Sequence, residues 1–120
     1  MGHFINYSDR VPVRYLSDGT SIPAIGLGTF GSDKYGADAV SQAVEGAIRS
    51  GYRLIDCASV YGNEAQIGEV FHRLFQEKAV QRESLFVTSK VWNDQHREVG
   101  KACRKSLTDL QLNELDLYFV

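Results

Sequence analysis

The sequence predicts an α/β fold in which short parallel strands alternate with amphipathic helices. Three observations support this prediction. Apolar segments begin near residues 24, 52, 85 and 115, roughly 30 residues apart, which is the length of one strand–helix–strand unit. The segments between them repeat apolar residues at the spacing of one helix face. The strands themselves are almost continuously apolar, which is typical of strands buried on both faces of a parallel sheet.

An antiparallel hairpin is predicted ahead of the repeating units. Its strands are Pro12–Leu16 and Ser21–Ala24, and the connection between them contains Asp18 and Gly19. An Asp-Gly pair between extended segments is typical of a hairpin turn. The first strand of the parallel sheet then follows as Ala24–Phe30, whose glycines allow close backbone approach.

Three helices and three further strands follow in strict alternation. The strands are Tyr52–Ala58, Leu85–Val91 and Leu115–Val120, and Gly51 is placed to end the first helix. The predicted inward faces are Val40, Ala43, Val44, Ala47 and Ile48 in the first helix, Ile67, Val70, Phe71, Leu74 and Phe75 in the second, and Val99, Ala102, Cys103, Leu107 and Leu110 in the third.

The second helix begins after a loop, and Asn63 is predicted to cap it. Glu64 follows, and its charge suits the positive end of the helix better than a role as a catalytic acid. Cys57, within the preceding strand, is predicted to be a small apolar filler.

The order of elements indicates half of an eight-stranded barrel. Four strands with their helices make the N-terminal half of a (β/α)8 TIM barrel, whose usual length is about 250 residues. A doubly wound sheet is the competing architecture, and the hairpin and the placement of polar groups favour the barrel. We therefore expect one partial domain over residues 1–120, with the hairpin at 12–24 and the βα units at 24–120. Because no helix follows the last strand, the chain is expected to be cut rather than finished.

Composition excludes several classes of protein. The chain has 120 residues, 43% of them hydrophobic and 23% charged, and a net charge of -2, which argues against a nucleic-acid surface. No apolar run approaches the roughly 20 residues that span a bilayer, and Met1–Asp9 lacks a signal core. Cys57 and Cys103 have neither metal-site nor disulfide spacing. We expect a cytoplasmic protein without metal, nucleic-acid or membrane partners.

Candidate catalytic side chains follow the strands. Asp56 ends one apolar strand, Tyr61 lies five residues beyond it, and Lys90 ends the next strand. In a parallel α/β barrel the active site forms at these carboxyl ends. An ammonium group beside a phenol favours its ionised form, and a carboxylate keeps the ammonium charged and oriented. The trio therefore suits proton donation to a developing alkoxide.

Four motifs make the chain resemble the aldo-keto reductase family. They are G-L-G-T-F at Gly26–Phe30, D-C-A-S-V-Y-G-N-E at Asp56–Glu64, S-K-V-W-N at Ser89–Asn93 and L-D-L-Y-F-V at Leu115–Val120. Each motif alone is modest evidence, whereas all four in order at these spacings are highly specific. The resemblance implies an enzyme that transfers a hydride from NADPH to a small aldehyde or ketone, and a monomeric parent protein.

The resemblance also implies roles for individual residues. Tyr61 would be the general acid, Lys90 would strengthen its acidity, and Asp56 would pair with Lys90. Residues at the cofactor would be Gly28, Thr29 and Asp56, and residues of the apolar substrate pocket would be Phe30, Val60 and Trp92. Gly28 could instead serve only tight backbone packing, because G-x-G alone is weak as a nucleotide signature. Trp92 could instead belong to the core.

One departure from the family pattern affects what the chain is expected to do. Family members carry a catalytic histidine directly after the strand that matches Leu115–Val120, where this chain stops. We therefore expect the 120-residue chain to be inactive alone. Because the edge strands of a half barrel lack partners and one apolar face is uncovered, we also expect the chain to aggregate or to form oligomers. Two other functions remain open: a Schiff-base aldolase in which Lys90 attacks a carbonyl, and a catalytically silent binding or regulatory protein on the same scaffold.

Overall fold

An antiparallel hairpin opens the part of the chain that this computed structural model describes, residues 11–31 and 34–120. Strand β1 (Val13–Tyr15) pairs with β2 (Ser21–Pro23). The turn closes because the Leu16 N–H donates to the Thr20 carbonyl at 2.8 Å, while Gly19 adopts a φ of 88°. A positive φ suits glycine, which has no Cβ to clash. The predicted hairpin is therefore confirmed.

A four-stranded parallel sheet follows the hairpin. It consists of β3 (Gly26–Gly28), β4 (Leu54–Asp56), β5 (Phe86–Lys90) and β6 (Leu117–Phe119). The strands pair in the order of the sequence, β3-β4-β5-β6, and all pairs are parallel. Each strand is shorter than the apolar segment that predicted it, because the flanking residues turn into the connections and leave the ladder.

Three helices connect the strands: α1 (Ala37–Arg49), α2 (Glu64–Gln76) and α3 (Val99–Leu110). Helix α2 lies between α1 and α3 and contacts both. Short 3-10 segments, Ser59–Tyr61 and Asn93–Glu98, follow β4 and β5. A third, Arg82–Ser84, precedes β5.

The core lies between these helices and one face of the sheet. Ile55 of β4 and Val87 of β5 are fully buried against it. The helices contribute the fully or nearly fully buried side chains Val44, Ile48, Ile67, Phe71, Leu74 and Leu110. Burial of apolar surface stabilises the fold by about 25 cal/mol per Å², so this interface holds the helices on the sheet.

Two helix faces differ from the prediction. Ala43 is exposed, whereas Ser41 is buried in α1 with its hydroxyl donating to the Asp38 carbonyl at 2.9 Å. In α3, Val99 and Cys103 are only half-buried, whereas Ser106 is fully buried. The spacing of apolar residues could not predict the burial of either serine, because a hydroxyl that has a hydrogen-bond partner can be buried as well.

Gly51 follows the C-terminal end of helix α1, as predicted. The Gly51 N–H donates to the Ile48 carbonyl and the Tyr52 N–H donates to the Ala47 carbonyl, at 3.1 and 2.9 Å. This pair of bonds is a Schellman motif, and Gly51 has the positive φ, 111°, that the motif requires.

The topology decides between the two predicted architectures. A doubly wound sheet reverses its strand order and carries helices on both faces, whereas this sheet keeps one direction and its helices pack together in one layer. The arrangement is that of consecutive units of a (β/α)8 barrel, and the predicted α/β fold with a leading hairpin is confirmed. Within the described residues, no helix is long and apolar enough to cross a membrane. Met1–Asp9 lies outside the described residues.

Candidate active site

Hydrogen bonds to Asp56 connect the ends of the three strands β3, β4 and β5. Its backbone carbonyl accepts hydrogen bonds from both the backbone N–H and the hydroxyl of Thr29, at 3.2 and 2.8 Å. Its carboxylate Oδ1 accepts hydrogen bonds from the Thr88 hydroxyl and from the Lys90 ammonium. Thr29, Asp56 and Lys90 all lie at or just after the carboxyl ends of their strands, so the register of the parallel sheet brings them together.

The Lys90 ammonium group donates hydrogen bonds to one carboxylate and one backbone carbonyl. Its Nζ lies 2.8 Å from Asp56 Oδ1 and 2.9 Å from the Cys57 carbonyl. Partial burial acts to lower the pKa of Lys90, but the hydrogen bond and charge of Asp56, with a smaller contribution from the Tyr61 hydroxyl, outweigh it. The pKa of Lys90 is therefore raised, and the side chain is an ammonium at neutral pH.

Tyr61 completes the trio. It ends the short 3-10 segment after β4, and its ring centroid lies 5.1 Å from Lys90 Nζ. Lys90 thus stands between the Asp56 carboxylate and the Tyr61 ring. Tyr61 also contacts Phe30, with ring centroids 5.1 Å apart and planes tilted by 41°. The structure brings together all three predicted catalytic residues and one of the predicted pocket residues.

A concavity of about 670 Å³ opens beside this trio, on the face of the sheet that carries no helices. Asp56 and Lys90 line it at one end. Strand residues complete its wall: Gly26, Leu27, Gly28, Leu54, Thr88, Leu117 and Phe119, with Ile22 from the hairpin. A Cβ built at Gly28 would meet no atom within 4 Å, so this glycine borders open space. In a complete (β/α)8 barrel this face is the interior, which side chains from the other strands fill, so the concavity is the uncovered inner face of the four strands, with Asp56 and Lys90 at its carboxyl end.

The other two predicted pocket residues lie elsewhere on the same end of the sheet. Val60 and Trp92 are 51% and 52% exposed, and they line a separate groove of about 380 Å³. Trp92 is therefore not a core residue. The assignment of Phe30, Val60 and Trp92 to a substrate pocket stays a prediction.

Asn63 does not cap α2 as predicted, whereas Glu64 does lie at the start of that helix, where its charge was expected, and is also buried. Asn63 occupies the position before α2, but its side chain makes no capping bond, and its Nδ2 instead donates to the Thr29 carbonyl at 2.8 Å. The Glu64 carboxylate is buried and accepts hydrogen bonds from the Ser89 and Ser106 hydroxyls, at 2.7 and 2.8 Å. Burial raises the pKa of Glu64, and the two hydroxyls partly oppose that rise.

Sequence reasoning missed this buried polar cluster. The available signal was the position of Ser106 on the inward side of α3, between Ala102 and Leu110. Cys57, by contrast, is fully buried as predicted, and burial raises the pKa of its thiol.

Comparisons with known proteins support the same family. A family model described as the Aldo/keto reductase family matches residues 24–120. Aldo-keto reductase family 1 member A1 of Mus musculus is 51% identical over 108 residues, which cover 88% of this chain and 32% of that protein. The NADP-dependent D-sorbitol-6-phosphate dehydrogenase of Malus domestica is 44% identical over 105 residues, which cover 88% of this chain and 33% of that protein.

A solved structure extends the similarity to three dimensions. The crystal structure of a Bombyx mori aldo-keto reductase in complex with NADP matches with a TM-score of 0.84 and 42% sequence identity. The match covers 90% of this chain and 37% of that one. The chain spans about a third of the length of the curated relatives it matches.

The singly wound sheet with a lysine, a carboxylate and a tyrosine at its strand ends defines part of a (β/α)8 barrel with a charged site at the carboxyl ends of its strands. The chain belongs to the aldo-keto reductase family, as the match over residues 24–120 shows. The resemblance drawn from the four sequence motifs is confirmed.

Proposed function

We propose that the natural protein carrying this chain is an NADP(H)-dependent oxidoreductase that reduces a small aldehyde or ketone to the alcohol. The observation that carries the proposal is the contact chain from the Asp56 carboxylate through the Lys90 ammonium to Tyr61. The names of the apple relative and of the silkworm structure, both of which mention NADP, support the cofactor.

The proposed mechanism assigns each group one task. Bound NADPH would supply a hydride to the carbonyl carbon, with Gly28, Thr29 and Asp56 lining its place. Tyr61 would donate its hydroxyl proton to the carbonyl oxygen as negative charge develops there. Lys90 would stabilise the phenolate that remains, because its positive charge lies against the Tyr61 ring. Asp56 would keep Lys90 charged and aimed.

The site counts against the two alternative functions. A Schiff-base aldolase needs a neutral lysine amine, whereas the Asp56 carboxylate raises the pKa of Lys90 and holds it as an ammonium. A silent binding protein has no need of this contact chain, whose buried and partly buried polar groups carry a desolvation cost.

We further propose that the 120-residue chain alone does not turn over carbonyl substrates and self-associates. Its concave face is open to water, and Phe119 and Val120 are 47% and 80% exposed there or next to it. Hydride transfer needs cofactor and carbonyl held in near-attack geometry, which an open face does not supply. Exposed apolar surface and unpaired strand edges favour association, and light scattering of the isolated chain would measure it.

A reducing, cytoplasmic setting is part of the proposal. The two cysteines, Cys57 and Cys103, are free thiols, and unpaired thiols are typical of reducing compartments.

The test uses the natural gene product that carries this chain, assayed for NADPH oxidation with a panel of aldehydes. Tyr61→Phe is expected to lower kcat by about 10² or more, since it removes the general acid. Tyr15→Phe is the matched control, because Tyr15 lies on the hairpin and is 74% exposed. Full activity in Tyr61→Phe would contradict the proposal. A substrate adduct on Lys90 after borohydride treatment would instead favour the aldolase.

A further inference from the structure

The buried Glu64 carboxylate joins three separate elements. It sits on the first residue of α2, one oxygen accepting from Ser89 at the end of β5 and the other from Ser106 in α3. Glu64 is 3% exposed and both serines are fully buried. Burying a carboxylate is expensive, and well-packed apolar residues commonly stabilise a core at least as well. The arrangement therefore holds α2, β5 and α3 in fixed relative positions at a cost in stability.

Asn63, which precedes Glu64, makes a second hydrogen bond to the end of a strand. We call each of these two side-chain hydrogen bonds, from Asn63 to Thr29 and between Glu64 and Ser89, a tie. The Asn63 Nδ2 donates to the Thr29 carbonyl at the end of β3, although the helix behind it is left without a side-chain cap. The Asn63 Oδ1 is buried and has no partner among the described residues. Losing a cap and leaving an acceptor unpaired each cost about 1 kcal/mol or more, so the tie to Thr29 is also maintained at a cost.

Both ties end beside the proposed catalytic groups. Only Gly62 separates Asn63 from Tyr61, and Ser89 directly precedes Lys90. The path Tyr61–Gly62–Asn63–Glu64, followed by the hydrogen bond to Ser89, leads directly to Lys90. Gly62 adopts a φ of 71°, a conformation that turns the chain sharply between the tyrosine and the two ties.

We infer that Asn63 and Glu64 are positioning residues that hold the Tyr61 loop at a fixed distance from Lys90. Asn63 anchors the loop to β3, and Glu64 anchors it to the strand end that carries Lys90. The consequence for catalysis rests on the proposed reductase function, whereas the effect on geometry does not. Neither residue touches the reacting groups.

Ser89→Ala and Ser106→Ala form a matched pair for the test. Each removes one buried hydroxyl from one Glu64 oxygen, so both are expected to destabilise the protein similarly. Only Ser89 connects Glu64 to Lys90. In the natural gene product, Ser89→Ala should lower kcat by about tenfold or more with little change in the KM for NADPH, because misplaced reacting groups lose rate. Ser106→Ala should lower kcat by no more than about threefold.

Asn63→Ser tests the other tie. Serine is as good a helix cap as asparagine, but it lacks the amide donor to Thr29. The variant should keep the stability of α2 and still lose about tenfold in kcat. Loss of stability without loss of kcat would show that Asn63 is only structural.

A spectroscopic measurement separates this inference from the proposed function. Lys90 Nζ lies 5.1 Å from the Tyr61 ring centroid, so the ¹³Cε resonance of labelled Lys90 senses that ring. The resonance, assigned by its absence in Lys90→Met, should move toward the free-lysine value in Ser89→Ala and Asn63→Ser and move less in Ser106→Ala. If the wild type shows no NADPH-dependent turnover, the proposed function fails and this shift alone decides the inference. An unmoved resonance, or equal kcat losses in the two serine variants, would overturn it.

Discussion

The two faces of the parallel sheet differ in almost every physical respect. The helix-covered face buries Ile55 and Val87 against side chains such as Phe71, all fully excluded from water. The opposite face carries Asp56 and Lys90 beside an open concavity, and Phe119 on that face is partly exposed. The covered face holds the fold together, and the open face carries the paired charges of the candidate site at its strand ends. Stability and chemistry are therefore separable by substitution in this chain.

Truncating one phenylalanine on each face is the strongest test of the difference between the two faces. Phe71 is fully buried and stacks with Phe75 at a centroid distance of 6.1 Å. Phe71→Ala should reduce the free energy of unfolding by about 3–5 kcal/mol, because it leaves a cavity. Phe119→Ala removes a ring that is 47% exposed and should cost less than about 1 kcal/mol.

Urea unfolding of the isolated chain measures both values, at concentrations where light scattering shows a single species. A cost at Phe119 as large as that at Phe71 would mean that the open face is covered in solution, and the contrast between the faces would then be lost.

The contact between α2 and α3 gives the next largest expected effect. A Cβ at Gly68 would lie 2.0 Å from the Asp109 carbonyl oxygen and 2.8 Å from the Leu110 carbonyl carbon. Because these are backbone atoms, the helices must separate, and Gly68→Ala should destabilise the protein by about 1–3 kcal/mol.

Gly46→Ala is the matched control for Gly68→Ala. Gly46 is also within a helix, but a Cβ there meets no atom within 4 Å, so alanine should stabilise the protein by up to about 1 kcal/mol. Equal effects of the two substitutions in urea unfolding would show that the helices of the covered face are not in close contact.

Acid titration compares a carboxylate outside the covered face with one inside it. Glu45 accepts hydrogen bonds from Arg73 and Arg49 on the helix surface, which lower the pKa of Glu45 to about 2. Its contribution to stability is present above the unfolded value of about 4.3 and is lost as the pH falls toward that lowered pKa. Glu64 behaves oppositely, because its pKa is raised: as the pH falls from the folded pKa toward the unfolded one, proton uptake favours the folded state.

Measuring the free energy of unfolding as a function of pH tests the opposite effects expected for Glu45 and Glu64. Glu45→Gln should flatten the loss of stability below about pH 4.3. Glu64→Gln should remove the gain that Glu64 gives on acidification. A Glu64→Gln protein with an unchanged pH profile would contradict the raised pKa.

Local patterns predicted most of the fold, for physical reasons that the residues make clear. The Asp-Gly turn, Gly51 at the end of α1 and the spacing of Val40, Val44 and Ile48 are each decided by neighbours in sequence. The trio Asp56, Tyr61 and Lys90 was predictable because parallel strands end at one edge of the sheet.

The partners of polar side chains were not predictable in the same way. Asn63 has the preference of a helix cap, yet its amide bonds to Thr29, which lies 34 residues earlier in the sequence. Glu64 suits a helix start by charge, yet its carboxylate is buried between Ser89 and Ser106. Both outcomes depend on which strand end and which helix lie nearby in three dimensions, and no local pattern contains that information.

The helix ends, which belong to neither face of the sheet, should give the smallest effect. Lys78 and Gln111 follow α2 and α3 with φ values of 59° and 57°, whereas Gly51 fills the same role after α1. A left-handed conformation costs a non-glycine residue about 1 kcal/mol. Lys78→Gly and Gln111→Gly should therefore each stabilise the protein by about 0.5–1 kcal/mol, and Gly51→Ala should destabilise it by about 1 kcal/mol. The urea midpoint should shift while the slope of the transition stays constant. Destabilisation by Lys78→Gly would show that the exposed lysine side chain adds more to the free energy of unfolding than its left-handed backbone conformation costs.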